Sequence, residues 1–196
     1  MLVPSPLPEE DVMVKVVIVG DGPAGLSAAL VLAKNGVDTV VYAQDKTEMH
    51  YAQLHNYLGA PDIAGTRFQE IARAQVTEQG ARIREADVTA VAVDGNGFAV
   101  SAGDGAAEHA DYLVLAAGKT GQRLAEQLGI PHGRDGVQVD SEGRTSVDRV
   151  YAAGRLARPH RSQAIISAGS GARVALDILA REAGKDVTDW DSPPES

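Results

Sequence analysis

The glycine-rich segment at residues 20–25 constrains the fold of this chain more than any other feature. A β-branched run, Lys15–Val19, precedes it, and apolar residues at helical spacing follow over residues 23–35, so the pattern predicts a strand-to-helix turn. A second apolar run at residues 39–42 completes a β-α-β unit. In such a turn the glycines let the backbone approach a pyrophosphate, and the helix N-terminus supplies unpaired N–H groups. The sequence therefore predicts a dinucleotide site that includes Gly20, Gly22, Pro23, Ala24 and Gly25.

The residue that binds the ribose of this dinucleotide is less clear. Folds of this kind usually carry an acidic residue about 20 positions after the glycine loop, at the end of the second strand. That place holds Tyr42, Ala43, Gln44 and Asp45, with no carboxylate directly at the strand end. Three alternatives stay open: Gln44 binds the ribose hydroxyls, Asp45 reaches back to them, or both are solvated loop residues.

The remaining pattern predicts an α/β fold with a central parallel sheet and an antiparallel β-meander. Residues 45–65 contain turn signals and no clear period, so we expect them to be mostly loop. Residues 66–79 are amphipathic, with Phe68, Ile71, Ala72, Gln75 and Val76 on one side. Further helices are predicted at residues 124–128 and 163–183. The predicted strands are residues 81–85, 88–93, 98–102, 112–116, 137–139 and 150–152, and short turns join the middle ones into the meander.

Length and composition limit the classes of protein to which the chain can belong. With 196 residues we expect one domain over residues 12–190, a flexible leader at residues 1–11 and a flexible tail at residues 191–196. Aromatic residues make up 4% of the chain, so we expect Ala, Val, Ile and Leu to form its core. The net charge of −9 argues against nucleic-acid binding, and without a long apolar run we expect a cytoplasmic protein that does not bind membranes. The chain has no cysteine, which excludes a Cys-x-x-Cys redox pair, and no histidine spacing indicates a metal site.

Five motifs occur in the order found in the FAD domain of the thioredoxin reductase family, which the chain resembles. They are the glycine loop with LSAA after it, HNYLGAP at residues 55–61, YLVLAAG at residues 112–118, TSVDRVYAAG at residues 145–154, and QA followed by SAGSG within residues 163–171. The resemblance implies a Rossmann-like FAD-binding domain and a homodimer. It also implies that the final helix points its N-terminus at the flavin, where its dipole would stabilise the anionic reduced form. The further cofactor-binding residues that it implies are Asn56, Val88, Ala117, Gly118, Gly154, Arg155, Ser162, Gln163 and Ala164.

The chain departs from this family's pattern in three respects. The pyridine-nucleotide domain that the family inserts after the strand at residues 112–116 is missing, and so is the cysteine pair of that domain. Without a dithiol the chain cannot reduce thioredoxin by disulfide exchange. The family's Gly-Asp pair is Gly154-Arg155 in this sequence. A guanidinium only donates hydrogen bonds, so Arg155 either pairs with the diphosphate of FAD or points to solvent.

The residues that would move protons and electrons are less defined than the cofactor site. His50 and His55 belong to the loop that the resemblance places at the flavin, so they are candidates for proton transfer, although both also fit a solvated loop. A basic patch before the final helix would suit an acidic electron carrier, or is a plain surface turn: Arg158, His160 and Arg161. Two hypotheses follow. The chain is an FAD-dependent oxidoreductase whose electron donor is a protein or small molecule without a dithiol, or it is a non-catalytic nucleotide-binding or interaction module.

Overall fold

The computed structural model describes residues 13–105 and 107–192 of the chain. Within these ranges the strands, in chain order, are β1 Lys15–Val19, β2 Asp38–Ala43, β3 Gln53–Leu54, β4 Ile63–Ala64, β5 Arg82–Glu85, β6 Val88–Asp94, β7 Gly97–Ala102, β8 Ala107–Ala110, β9 Tyr112–Leu115, β10 His132–Gly133, β11 Gly136–Val137 and β12 Val150–Ala152. The helices are α1 Pro23–Lys34, α2 Gly65–Glu78, α3 Gly118–Gln127 and α4 Ala164–Ala183. Short 3₁₀ turns lie at Glu48–Tyr51, Gly154–Leu156 and Pro159–Arg161.

The centre of the molecule is a five-stranded parallel sheet in the order β12-β9-β1-β2-β5. In the middle strand, Val17 pairs in register with Val40 of β2 and with Leu113 of β9. β1 suits this position because its residues are apolar on both faces, and a central parallel strand is covered on both sides. The structure therefore confirms the predicted α/β class with a central parallel sheet.

Two layers cover the two faces of this sheet. Val16 and Ile18 pack against the layer formed by α1, α2 and α4, whereas Val17 and Val19 pack against the layer formed by α3 and the antiparallel sheet β6-β7-β8. Successive side chains of a strand point to opposite faces, so a single apolar run serves both cores. The sheet β6-β7-β8 is the predicted meander, and its strands pair from Asp94 opposite Gly97 at the first turn.

Several short elements were not predicted. The segment predicted as loop contains β3, β4 and a 3₁₀ turn, and β8 and β10 were also missed. Helix α3 begins at Gly118, well before the predicted start at residue 124. Glycine is a poor helix former, which hides this start in the sequence. Gly121 nevertheless fits because it packs beneath Leu156, where an added Cβ would lie 2.6 Å from Leu156 Cδ2.

Ala, Val, Ile and Leu make up most of the core, as expected, and three tyrosines also lie in it. Tyr42 of β2, Tyr112 of β9 and Tyr151 of β12 are each at most 2% exposed. Each hydroxyl donates a hydrogen bond to a carboxylate from another element, at 2.9, 2.5 and 2.6 Å respectively: Glu108, Glu182 and Asp177. Burial, and then these hydrogen bonds, raise the pKa of Tyr42 and of Tyr151 to about 12, and the pKa of Tyr112 is raised by the same causes.

The C-terminal end of the described chain contacts the end of α1. The predicted leader falls outside the described residues, as do residues 193–196 of the predicted tail. Asp191, at the start of that tail, places its carboxylate 2.6 Å from the ammonium of Lys34 at the end of α1. Of the helices in the described ranges, none has the length and apolar character needed to cross a membrane.

Candidate functional site

A cleft of about 740 Å³ lies at the carboxyl ends of β1, β2, β9 and β12. Parallel strands present their carboxyl ends at one edge of a sheet, and ligands of open α/β sheets bind in the crevice at that edge. The lining residues are Val19, Gly20, Asp21, Gly22, Pro23, Ala24, Tyr42, Gln44, Lys46, Thr47, Glu48, Met49, Ala86, Asp87, Val88, Ala116, Ala117, Gly118, Thr120, Gln122, Gly154, Arg155, Leu156, Pro159, Ser162, Ala164 and Ser167.

Three helices begin at this cleft. Pro23 of α1, Gly118 of α3 and Ala164 of α4 all line it. None of these three helices has a side-chain hydrogen bond at its N-cap or an acidic residue in its first turn. Their first N–H groups have no intrahelical acceptor, and the helix dipoles add partial positive charge at the same place. The cleft is therefore suited to an anion with several oxygens, such as a diphosphate.

The backbone geometry requires two of the three glycines of the glycine loop, and the third differs. Gly20 has a φ of +112°, and a Cβ there would lie 2.7 Å from the backbone nitrogen of Ala117. A Cβ on Gly25 would lie 1.9 Å from the carbonyl oxygen of Gly20, so close packing of helix on strand fixes this position. Gly22 differs, because its φ is −73° and a Cβ would meet Thr47 Oγ1 at an ordinary 3.5 Å. No described part of the chain requires glycine at residue 22, which fits close approach of a diphosphate.

Asp21 carries the negative charge of the glycine loop. Its side chain is only 6% exposed, and its carboxylate accepts a hydrogen bond from Arg73 of α2. Gln69, one helical turn earlier, donates to the backbone carbonyl of Asp21. The second terminal nitrogen of Arg73 donates to Glu85 at the end of β5. One guanidinium therefore links the glycine loop, α2 and the edge strand of the sheet.

This network changes which face of α2 is buried, and the predicted face was wrong in part. Val76 is buried as predicted, but Gln69 is also buried, whereas Ile71 and Gln75 are exposed. The apolar pattern could not show this because Gln69 is polar and its partner lies 48 residues away in the sequence. The sequence signal for this network was Asp21 in the glycine loop, because a buried aspartate requires a cation or several hydrogen-bond donors.

The structure separates the two candidates for the ribose. Gln44 lines the cleft, whereas Asp45 is not among its lining residues. Asp45 has a φ of +50°, and its Oδ1 lies 2.9 Å from Nε2 of His50. The carboxylate of Asp45 is thus already paired beside the cleft. This arrangement favours Gln44 among the three alternatives.

Arg155 lines the cleft from the 3₁₀ turn that follows β12. Its Nη1 lies 3.2 Å from Oε1 of Glu48, which lines the cleft from the opposite 3₁₀ turn. The two side chains are 59% and 79% exposed, so this ion pair contributes at most about 1 kcal/mol. A phosphate at the cleft can therefore compete with Glu48 for the guanidinium.

Most of the other predicted cofactor-binding residues also line the cleft. Val88 is 1% exposed, and its carbonyl accepts a hydrogen bond from Arg123 at 2.6 Å. The lining residues that were predicted are Gly20, Gly22, Pro23, Ala24, Gln44, Val88, Ala117, Gly118, Gly154, Arg155, Ser162 and Ala164. Those that were not predicted include residues 46–49 and two residues from the first turns of α3, Thr120 and Gln122, whose helical start the sequence did not show.

Five predicted residues are not among the lining residues of the cleft. Gly25 is buried against the strand, and Gln163 is the N-cap residue of α4. Asn56 is exposed in the loop between β3 and β4. His50 pairs with Asp45, and the Nδ1 of His55 lies 3.2 Å from Oδ1 of Asp62 on the exposed side of the same loop.

Fold and site together define a dinucleotide-binding α/β protein whose glycine loop opens the first helix at the carboxyl edge of a parallel sheet. Comparison with protein families then identifies the group. Residues 57–172 match the model for pyridine nucleotide-disulphide oxidoreductases, and residues 13–57 match the model for an FAD binding domain. The first match covers more than half of the chain, which therefore belongs to the pyridine nucleotide-disulphide oxidoreductase family. FAD is its cofactor, as the sequence predicted.

Individual relatives confirm the resemblance to the FAD domain of thioredoxin reductases. The thioredoxin reductase of Spironucleus barkhanus is 31% identical over 112 residues, which are 55% of this chain but only 37% of the relative. The chain thus matches little more than a third of that protein's length. A thioredoxin reductase from Gloeobacter violaceus has a TM-score of 0.80 at 19% identity, over 93% of this chain and 100% of that one. A ferredoxin-flavin thioredoxin reductase from Clostridium acetobutylicum has a TM-score of 0.77 at 16% identity, over 88% and 98% of the two chains.

Proposed function

We propose that the chain is an FAD-dependent oxidoreductase that passes electrons between its flavin and a partner other than a dithiol protein. The observation that carries this proposal is the convergence of the glycine loop and three uncapped helix N-termini on one cleft. FAD, when bound there, supplies reversible electron and hydride transfer. The residues supply binding, orientation and electrostatics.

Each part of the cleft has a role in this proposal. The backbone N–H groups at Gly22 and the start of α1 hold the diphosphate, and Gln44 binds the ribose. Arg155 exchanges Glu48 for a diphosphate oxygen, which a guanidinium binds well because it offers two parallel donors. The N-terminus of α4 at Ala164 points its dipole towards the flavin. His50 and His55 stay predictions for proton transfer, because they lie beside the cleft and not in its lining.

The absence of cysteine determines the kind of partner. Thiol–disulfide exchange requires a thiolate on the protein that reduces the disulfide, and the sequence contains none. Between β9 and β12 the chain forms α3 and the hairpin β10-β11, where thioredoxin reductases by resemblance carry a second domain. A donor must therefore bring its electrons to the cleft itself. A diffusing nicotinamide or a small protein carrier both meet this requirement.

A protein carrier with an acidic surface is supported by the residues around the 3₁₀ turn Pro159–Arg161. Arg158, His160 and Arg161 are all exposed, and they are sequence neighbours of Pro159 and Ser162, which line the cleft. Positive charge at the cleft entrance accelerates association with an acidic protein. The name of the similar Clostridium acetobutylicum reductase includes ferredoxin, which supports a ferredoxin-like donor. We further propose a cytoplasmic homodimer, which cell fractionation and light scattering would test.

The test of this proposal uses the purified protein under anaerobic conditions. We expect it to bind FAD with one-to-one stoichiometry, to show flavin absorbance, and to bleach with NADPH or with reduced ferredoxin as well as with dithionite. Protein that stays colourless and takes up no added FAD would contradict the proposal. A flavin that only dithionite reduces would favour the second candidate, a non-catalytic nucleotide-binding module. The Arg155–Glu48 ion pair favours that candidate, because it places a carboxylate in the cleft.

A further inference from the structure

The glycine loop contains a charge that opposes its proposed ligand. Asp21 lies between Gly20 and Gly22 in the loop at which the diphosphate is proposed to bind, and it lines the cleft. A carboxylate and a diphosphate at such short range repel each other, and the repulsion grows where the protein excludes water. FAD binding therefore requires the charge of Asp21 to be turned away or neutralised.

In the structure the Asp21 carboxylate is both turned away from the cleft and paired with a cation. The side chain of Asp21 is turned towards α2 and is only 6% exposed, and Arg73 donates a hydrogen bond to its Oδ2. Gln69 donates to the backbone carbonyl of the same residue, and its Nε2 also lies 3.5 Å from Oδ2. These two α2 residues are four positions apart, so they project from the same face of the helix. The loop backbone and the carboxylate are thus held from one side.

Arg73 also connects this contact to the ribose end of the cleft. Its Nη2 donates to Glu85, and Glu85 stands in register with Ala43 at the end of β2, directly before Gln44. One guanidinium therefore pairs with two carboxylates beside the cleft. Without it, both carboxylates would lose this positive partner.

We propose that Arg73 is a positioning residue for FAD binding, which acts by holding the Asp21 carboxylate out of the diphosphate site and neutralising it. Gln69 supports this role by fixing the carbonyl of the loop. The inference rests on the proposed FAD site, and it assigns a binding function to a helix that contributes no residue to the lining of the cleft.

The experiment is a charge-compensation series measured by FAD affinity, with flavin fluorescence quenching as the readout. Arg73→Gln is expected to weaken FAD binding about tenfold or more, because the freed carboxylate faces the diphosphate. Asp21→Asn added to Arg73→Gln is expected to restore the affinity to within about threefold of the wild type, since it removes the repelling charge. High salt screens the repulsion between Asp21 and the diphosphate, so it is expected to recover part of the FAD affinity of Arg73→Gln. The double variant lacks this repulsion, so its affinity should not recover in the same way.

Two controls separate this role from a structural one. Arg67→Gln removes an exposed arginine of the same helix that pairs with Glu70, and it should leave FAD affinity unchanged. Thermal unfolding of each variant without FAD shows whether the fold is intact. If Arg73→Gln binds FAD as the wild type does, or if the Asp21→Asn change rescues nothing, the inference is wrong. Wild-type protein that binds no FAD would instead overturn the proposed function together with this inference.

Discussion

Gly22 and Gly25 lie three residues apart in the same loop, yet the structure gives them different roles. A Cβ on Gly25 would collide with the carbonyl of Gly20, whereas a Cβ on Gly22 would stand at the cleft in ordinary contact with Thr47. Gly25 is therefore required by the fold. For Gly22 we expect the requirement to come from the proposed ligand. Two substitutions to alanine separate these roles.

Gly22→Ala is expected to weaken FAD binding at least about tenfold while lowering the stability of the apo protein by less than about 1 kcal/mol, the usual difference between glycine and alanine at an N-cap. Gly25→Ala is expected to cost about 1–3 kcal/mol of stability, because a packed interior cannot accept the extra methyl group without shifting. Urea unfolding without FAD and an FAD titration measure the two effects. Equal FAD affinity of Gly22→Ala and the wild type would show that no ligand approaches this residue closely.

Arg155 provides the second test at the scale of single residues. Arg155→Ala is expected to weaken FAD binding about tenfold, which corresponds to the loss of one hydrogen bond between charged groups. Glu48→Gln is the matched variant, because it releases the guanidinium from its partner at 3.2 Å and should leave the affinity equal or tighter. An alanine variant with wild-type affinity would mean that the guanidinium does not contact the diphosphate.

At the scale of single residues, the sequence predicted some of the cleft residues and missed others. The glycine loop and the residues after β9 and β12 could be predicted because backbone geometry restricts which residues can stand there. Gln69, Arg73 and Glu48 could not, because their partners Asp21 and Arg155 are distant in sequence and only the fold brings them together. Asn56 was predicted by resemblance alone, and its loop places it outside the cleft lining.

Among the elements, α3 shows most clearly that an apolar sequence pattern can reveal only part of a helix. Its predicted part, residues 124–128, contains the buried apolar residues Leu124 and Ala125. Its first turns contain Gly118 and Gly121, which are poor helix formers, and Gly121 packs beneath Leu156. These turns bring an N-terminus to the cleft, so the unpredicted half of the helix is the half that lines the proposed FAD site.

Helix α4 is held to β12 by a buried carboxylate that permits a test. Asp177 accepts hydrogen bonds from Nε and Nη2 of Arg144 at 2.8 and 2.5 Å and from the hydroxyl of Tyr151 at 2.6 Å. Burial alone would raise the pKa of Asp177, but the hydrogen bonds from Arg144 and Tyr151 outweigh it and hold the pKa below its ordinary value. The stability that it contributes is therefore present above that ordinary value and lost as the pH falls below it.

Asp177→Asn is expected to lower the free energy of unfolding at neutral pH by about 1–2 kcal/mol, less than for a fully buried pair because water reaches Arg144. Chemical denaturation measures it, and the difference from the wild type should shrink as the pH is lowered towards 3. Asp186→Asn, at an exposed aspartate beyond α4, is the control and should change little. A difference that stays constant with pH would mean that the ion pair does not stabilise the fold.

For the molecule as a whole, the three buried tyrosines predict its behaviour in alkali. The pKa of Tyr42 and of Tyr151 is raised to about 12, and that of Tyr112 is raised too, so all three are neutral in the folded protein well above pH 10. Each raised pKa gives stability that is complete below the ordinary tyrosine pKa of 10.0 and is lost as the pH rises towards the folded value.

We therefore expect stability to fall steeply between about pH 10 and pH 12. Tyrosinate absorbance at 295 nm measures ionisation, and circular dichroism measures unfolding in parallel. The buried tyrosines should ionise only when the protein unfolds. Tyr151→Phe, which cannot ionise, should lose less stability between about pH 10 and pH 12 than the wild type. If all five tyrosines of the chain ionise before any loss of structure, the hydroxyls are not buried as described.

The connection between β9 and β12 has a consequence for protein engineering. These two strands are neighbours in the sheet, with Leu113 in register with Val150, so the chain from residue 116 to residue 149 is one crossover whose two ends the sheet fixes. The glycine loop, α1 and β2 all lie outside it in the sequence. An electron-donating domain grafted into this crossover would be tethered beside the flavin, and donor and acceptor would then meet at a concentration set by the linker and not by diffusion.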